Sequence, residues 1–314
     1  MKAFFTHPVT ATVLKIVISI GLLAGLIYYI DFTAVYDSFL NANALFLTIG
    51  IGFAAAQLVV HFFRWRFLLR LADKEISNSE VITSHFVGFM AGFFTPAQVG
   101  EFAGRIASHP NVNKSHIIGI SLIDKLYWTA LTLIIGGLGL AMFTAEHLSE
   151  YWNPWYQMIV AIVIFLCTGF CFLPEKMKLL LQMLPKKVRV HRYYEVIQVI
   201  EKEFHNPQGA ALFGFTATIY LMILVEYYFL SMAFGSVSFS DALICCASVF
   251  LVKTIILPIS FGDLGIRESV AVFFYKNAGY SAAIAFNASI VMSFANVLIP
   301  AAIGAVMVTR LKRK

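Results

Sequence analysis

Long apolar runs separated by short polar stretches dominate the chain. A helix needs about 20 apolar residues to cross a bilayer. Six runs meet that requirement: about Thr10–Ile30, Ala44–Phe63, Ile117–Phe143, Trp155–Leu173, Ala210–Phe234 and Ala282–Val308. Lys15 falls inside the first, where its stem can lie on apolar surface while the ammonium reaches the interface. No A-x-A cleavage sequence follows that run, so it reads as a retained span rather than a signal peptide. Two further apolar stretches, Val81–Thr95 and Ala242–Leu257, are too short or too interrupted to cross comfortably. Each meets a proline, Pro96 or Pro258, and continues into a charged, glycine-containing segment. These two predict re-entrant hairpins, whose irregular backbone must be buried in protein or line a wet cavity.

The segments after the two short stretches match without a gap. Pro96–Arg105 and Pro258–Arg267 both read P-x-x-x-G-[DE]-x-x-x-R, 162 residues apart. Each half of the chain then has the order span, span, hairpin, span. Three spans per half is an odd number, so the second half enters the membrane with opposite orientation. The expected fold is an all-α polytopic membrane protein of six transmembrane helices and two re-entrant hairpins in an inverted-topology repeat. Such repeats place a binding site near the bilayer midplane. One membrane domain occupies 1–314, with repeat halves at about 10–143 and 155–308 and a basic cytoplasmic loop at about 174–209.

Charge supports this topology. With the N-terminus in the cytoplasm, 19 of the 23 Lys and Arg fall on cytoplasmic segments, as the positive-inside rule requires. The loops at 31–43, 144–154 and 235–241 hold no Lys or Arg, only Asp31, Asp37, Glu146, Glu150 and Asp241 as charges. Lys276 alone sits in an outside loop, and both termini are cytoplasmic. Composition agrees: 60% of residues are hydrophobic and 13% charged, with a mean hydropathy of +0.80. That leaves too little polar surface for a soluble globule of this size and excludes a cytosolic enzyme, a secreted protein and a disordered scaffold. The net charge of +6 reads as a topology signal and a lipid-headgroup contact rather than a nucleic-acid footprint, because no basic patch with interleaved aromatics lies outside the spans. Cys167, Cys171, Cys245 and Cys246 lie in apolar runs without metal-ligand spacing, and the eight histidines form no spaced ligand set. No metal or cofactor is expected, and no Walker A segment is present.

Ionisable residues at membrane depth are expensive unless paired or hydrated, so they mark function. The candidates for contact with a substrate headgroup are Glu101, Arg105, Asp124, Lys125, Glu226, Asp263, Arg267 and Glu268. Pro96, Gly100, Pro258, Gly262 and Gly265 supply the turns of the two motifs. An arginine beside a helix N-terminus offers a planar fork and a positive helix end to a phosphate. Glu101–Arg105 and Asp263–Arg267 also have the i, i+4 spacing of an intrahelical ion pair, and pairing is compatible with binding. Glu226 lies deep in the fifth span as a proton site or a headgroup contact. Arg64-Trp65-Arg66 reads as a membrane anchor at a helix end.

The stretch Phe63–Arg70, the segment Pro96–Arg105, the Asp124-Lys125 pair and above all Pro258–Glu268 resemble the flippase-like family, homologues of the transmembrane domain of lysylphosphatidylglycerol synthase. The resemblance runs from about residue 10 to 308. The family pattern at the last motif is P-x-S-x-G-G-x-G-x-R-E. Here Asp263 replaces its second glycine, and Lys125 stands where an arginine is usual. The resemblance implies translocation of lipid between leaflets, best known for aminoacylated phosphatidylglycerol. The chain ends at Lys314, just past the last span, so any aminoacyltransferase step is expected from another protein.

The expected function is therefore a flippase for an anionic or aminoacylated phospholipid, or a lipid-linked phosphate, in the cytoplasmic membrane. It is not expected to be an enzyme. The expected partners are a phospholipid headgroup and a separate lipid-modifying enzyme, with no nucleic acid. Two alternatives belong to other classes: an integral-membrane enzyme acting on lipid-linked phosphate or sugar, and a regulatory partner of a lipid-synthesis enzyme.

Overall fold

A computed structural model describes residues 17, 20–21, 23–95, 98–151, 153–172, 204–256 and 264–311. Most of the first expected span, the basic loop up to residue 203, Pro96, Pro258, Gly262 and Asp263 lie outside the described residues. The described chain is all-α. Residues 23–30 are helical and lead into α1, Phe32–Leu40. There follow α2 (Ala44–Ala72), α3 (Asn78–Phe93), α4 (Gly100–Ala107), α5 (Lys114–His147), α6 (Pro154–Phe172), α7 (Asn206–Phe234), α8 (Phe239–Ile255), α9 (Ile266–Asn277) and α10 (Ala282–Ser293). A π-helical turn at Phe294–Leu298 continues into α11, Ile299–Leu311.

Four helical runs among the described residues are long and apolar enough to cross a membrane: Ala44–Ala72, Lys114–His147, Asn206–Phe234 and Ala282–Thr309. At 1.5 Å per residue, the 29 residues of α2 reach about 44 Å and the 34 of α5 about 51 Å, more than the ~30 Å hydrocarbon core. The shorter apolar helix Gln157–Phe172 falls where a fourth span is expected. The expected loop at 31–43 is largely helix. Asp31, at φ 84°, accepts from Thr33 N and caps α1, which is tied down by Asn287 Nδ2 on Val35 O (3.0 Å) and Ser38 Oγ on Phe234 O (3.2 Å).

The helices α3 and α8 are too short to cross, at 16 and 17 residues or about 24–26 Å. Both start a few residues ahead of the apolar stretch, because a serine caps each. Ser77 forms a reciprocal capping box with Glu80, and Ser238 accepts from Asp241 N. From α3 the chain turns back: Gly100 lies against Ala91, and Gly104 against Val87. A Cβ on Gly100 would stand 2.2 Å from Ala91 O, and one on Gly104 2.7 Å from Val87 O. Only glycine allows the eight-residue α4 to lie this close to its partner. In the second half, α9 packs onto α8.

Contacts between the halves follow one exchange rule. Helices α2 and α7 pack on each other; α5 packs on α8, and α11 packs on α3. Each final span thus covers the hairpin of the other half. Glycines set these approaches: Gly136 meets Leu251, Gly139 meets Ala247, and Gly304 meets Phe86. A Cβ on Gly304 would lie 2.1 Å from the Phe86 carbonyl oxygen, a backbone atom that cannot swing aside. Gly304→Ala is expected to destabilise the protein by about 1–3 kcal/mol through overpacking. Gly214→Ala in α7, where a new Cβ meets nothing within 4 Å, should instead be neutral or stabilising by up to about 1 kcal/mol. Thermal melts of both variants in detergent check this; equal melting of the two would refute the packing account.

Candidate functional site

The polar side chains of these apolar helices converge on one cavity between the two halves. It holds about 1300 Å³ of empty space, including its open mouth. The first half contributes Gln57, His61 and Arg64 from α2, His85 from α3, Glu101 and Arg105 from α4, and Asp124, Lys125 and Trp128 from α5. The second half contributes Ile223 from α7, Phe250 and Lys253 from α8, Arg267 from α9 and Asn296 from the π-helical turn.

The first-half charges form one network. Asp124 sits between two guanidiniums, with Arg64 Nη2 at 2.7 Å from Oδ1 and Arg105 Nη2 at 3.0 Å from Oδ2. Arg64 Nη2 also donates to the Asp124 carbonyl at 2.8 Å. Arg105 pairs with Glu101 at 2.5 Å, the i, i+4 contact that the spacing predicts, and Lys125 closes onto the other Glu101 oxygen. Lys125 further donates to Gln98 Oε1 at 2.6 Å, and Gln98 holds a left-handed φ of 56°. The Arg105 guanidinium stacks 3.7 Å from the centroid of Trp65, and Trp65 Nε1 is fixed by Ser84 Oγ at 3.2 Å. Such stacking suits a guanidinium that is removed from water.

The second half is built differently. Gly265, at φ 88°, starts α9, and its N–H donates to Glu268 Oε2 at 2.6 Å. Glu268 Oε1 accepts from Ser293 Oγ at 2.7 Å, and Ser293 Oγ accepts from Arg267 Nη1 at 3.2 Å. Arg267 faces Phe250 at 5.8 Å, and no described carboxylate forms an ion pair with it. Glu268 is therefore a buried cap behind Arg267, off the cavity wall. Glu226 is also off the wall and fully buried, accepting from Gln57 Nε2 (2.6 Å) and Asn296 Nδ2 (2.8 Å). The structure thus gathers Glu101, Arg105, Asp124, Lys125 and Arg267 on one cavity, with Glu226 and Glu268 one layer behind.

Arg64 is the residue the linear reading misjudged. An anchor at a helix end would be exposed, whereas Arg64 is 4% exposed and reaches Asp124. Helix α2 runs eight residues beyond Arg64, to Ala72, so Arg64 lies inside it rather than at its end. Gln57, His61, Arg64 and Trp65 recur at i, i+4, i+7 and i+8, one face of a helix, which is the signal that would have found them. Away from the cavity, Glu146, His147 and Asp241 bring potential ligand atoms within 4.8 Å of one another. Asp241 Oδ2 is already taken by Tyr280 and Ser238 hydroxyls at 2.5 and 2.7 Å, so the group works as a tie between the ends of α5 and α8.

Comparison with curated proteins and comparison with solved structures each return no match. The family profile described as the lysylphosphatidylglycerol synthase TM region does match, over residues 12–304. That span includes every residue named on the cavity and both P-x-x-x-G-[DE]-x-x-x-R motifs, and on it the chain belongs to the family of lysylphosphatidylglycerol synthase transmembrane regions.

Proposed function

We propose that the protein moves a phosphate-bearing lipid between leaflets, with the headgroup passing through the cavity between its halves. The observation that carries this reading is the cavity's surplus of cations. Among the described residues its wall holds Arg64, Arg105, Lys125, Lys253 and Arg267 against Glu101 and Asp124. Arg64 Nε, Arg105 Nε and Nη1, and Arg267 Nε have no acceptor. Buried donors without acceptors cost about 1–3 kcal/mol each, more when charged, and a phosphate would supply the missing acceptors and the missing charge. The family resemblance to a lipid-synthase membrane region supports a lipid as the bearer of that phosphate.

The same reading includes an inverted repeat of six spans and two hairpins, forming one membrane domain with both termini cytoplasmic. Helix starts in the halves pair as Ala44 with Asn206, Asn78 with Phe239, Gly100 with Ile266 and Lys114 with Ala282, a near-constant offset. The exchange rule in the helix contacts is what a two-fold relation between halves would produce. Cysteines placed singly at the C-terminus and at position 150 are expected to label from the cytoplasmic and the outer side respectively. An externally labelled C-terminus overturns the topology.

The direct test of function is exchange of a fluorescent phosphatidylglycerol across liposomes holding purified protein. Leaflet exchange well above that of empty liposomes is the expected result. Chemical turnover of the headgroup without exchange would instead identify a membrane enzyme.

A further inference from the structure

The described carboxylates on and behind the cavity wall are not held alike. Glu101 is clamped by Arg105 and Lys125, and Asp124 by Arg64 and Arg105. Glu226 has no described cation within ion-pair distance. Among the described residues its two oxygens accept only from side-chain amides, Gln57 Nε2 at 2.6 Å and Asn296 Nδ2 at 2.8 and 3.0 Å. Its side chain is fully buried on α7, while Gln57 and Asn296 both line the cavity. The amides thus stand between the carboxyl and the headgroup path. The carboxyl lies on α7 and its two amides on α2 and on the π-helical turn of the last span, so the Gln57 bond crosses between the halves. π-turns are local distortions that recur at functional sites.

We propose that Glu226 is a proton-binding site through which lipid movement is coupled to the transmembrane proton gradient. The inference rests on the lipid-translocation reading and names the ion that drives it. An ionised carboxyl without a cation at membrane depth is expensive, and the amide N–H donors offset part of that expense. When the carboxylate takes one proton it becomes a neutral acid with an O–H to donate. A primary amide serves both forms, because a half-turn of its side chain exchanges the NH₂ donor for the C=O acceptor. An arginine or lysine in the same place would serve only the charged form. One proton is gained on one side and released on the other, and no electron moves. Of the titratable and charged groups, Cys246 on α8 and Arg267 on α9 act on Glu226 through space, and His61 and Arg64 on α2 and Lys253 on α8 share the cavity that its two amides line. Of these, Arg267 acts on Glu226 through space and shares the cavity, so arrival of a lipid phosphate at Arg267 and uptake of a proton at Glu226 favour one another.

The test uses full-length protein in liposomes containing fluorescent phosphatidylglycerol and an internal pH dye. For one proton per lipid, a gradient of one pH unit is expected to bias the tracer between leaflets by up to about tenfold. The dye should report proton flux that follows the lipid. Glu226→Gln, a fixed mimic of the neutral form, should bring the bias and the proton flux to none. A wild-type bias that ignores the gradient, or a Glu226→Gln variant that still follows it, overturns the proposal. A second measurement does not depend on transport. The infrared C=O stretching band of a protonated carboxyl should titrate in the wild type between about pH 5 and about pH 9 and be missing in Glu226→Gln. A titrating Glu226 band without lipid exchange would remove the translocation reading and keep the proton site. Absence of that band's titration removes the proton site even where exchange occurs.

Discussion

Asp124→Ala is expected to destabilise the protein by about 3–5 kcal/mol, because it strands two buried guanidiniums at once. Arg64 and Arg105 are 4% and 3% exposed, so neither can turn to bulk water when the carboxylate is removed. Arg64 loses its ion pair with Asp124 Oδ1 and keeps only the backbone carbonyl at position 124. Arg105 retains Glu101, but that carboxylate already serves Lys125. Asp124→Asn should fall between the wild type and alanine, since the amide oxygen can still accept from one arginine. In Arg64→Leu/Asp124→Leu the partners leave together, and the loss should be smaller than the sum of the two single changes. Thermal melting of monodisperse protein in detergent reads all five variants. If Asp124→Ala melts with the wild type, the network is a surface ornament and the cavity argument loses its first-half anchor.

The second large effect falls on transport rather than folding. Arg267→Ala should bring leaflet exchange to the level of empty liposomes while the protein remains folded. The contrast with Arg105 explains why. Arg105 is clamped by two carboxylates, whereas among the described residues Arg267 donates only to Ser293 Oγ and leaves Nε without an acceptor. Removing Arg267 therefore strands no described carboxylate in an ion pair. Glu268 keeps its bonds from Gly265 N–H and Ser293 Oγ, so the start of α9 stays capped. What is lost is a cation on the cavity wall with free donors for a phosphate. Arg267→Lys should restore exchange only in part, because an ammonium cannot present the planar two-point fork. Wild-type exchange by folded Arg267→Ala would make the arginine structural and end its assignment to the site.

Much of this protein is legible in its residue order. The excess of apolar residues places the chain in a membrane, and the lengths of the runs separate long helices from the two short ones. The repeated proline, glycine, acid and arginine spacing follows both short helices, and the i, i+4 interval brings Glu101 to Arg105. These features are local: each depends on helix geometry and on what a bilayer core tolerates. The tertiary structure decided which faces of those helices look inward. The spacing of Gln57, His61 and Arg64 marks one face of α2, but nothing along the chain announces that Gln57 meets Glu226 across 169 positions, or that Arg64 meets Asp124 across 60. Glu268 is a headgroup candidate as an ionisable residue at membrane depth, yet helical rotation turns it back onto Gly265 as a cap. In a soluble protein, water selects the buried face by rejecting apolar surface. In hydrocarbon that selection is absent, and contact between helices is set by small residues that permit approach and by polar groups that need partners.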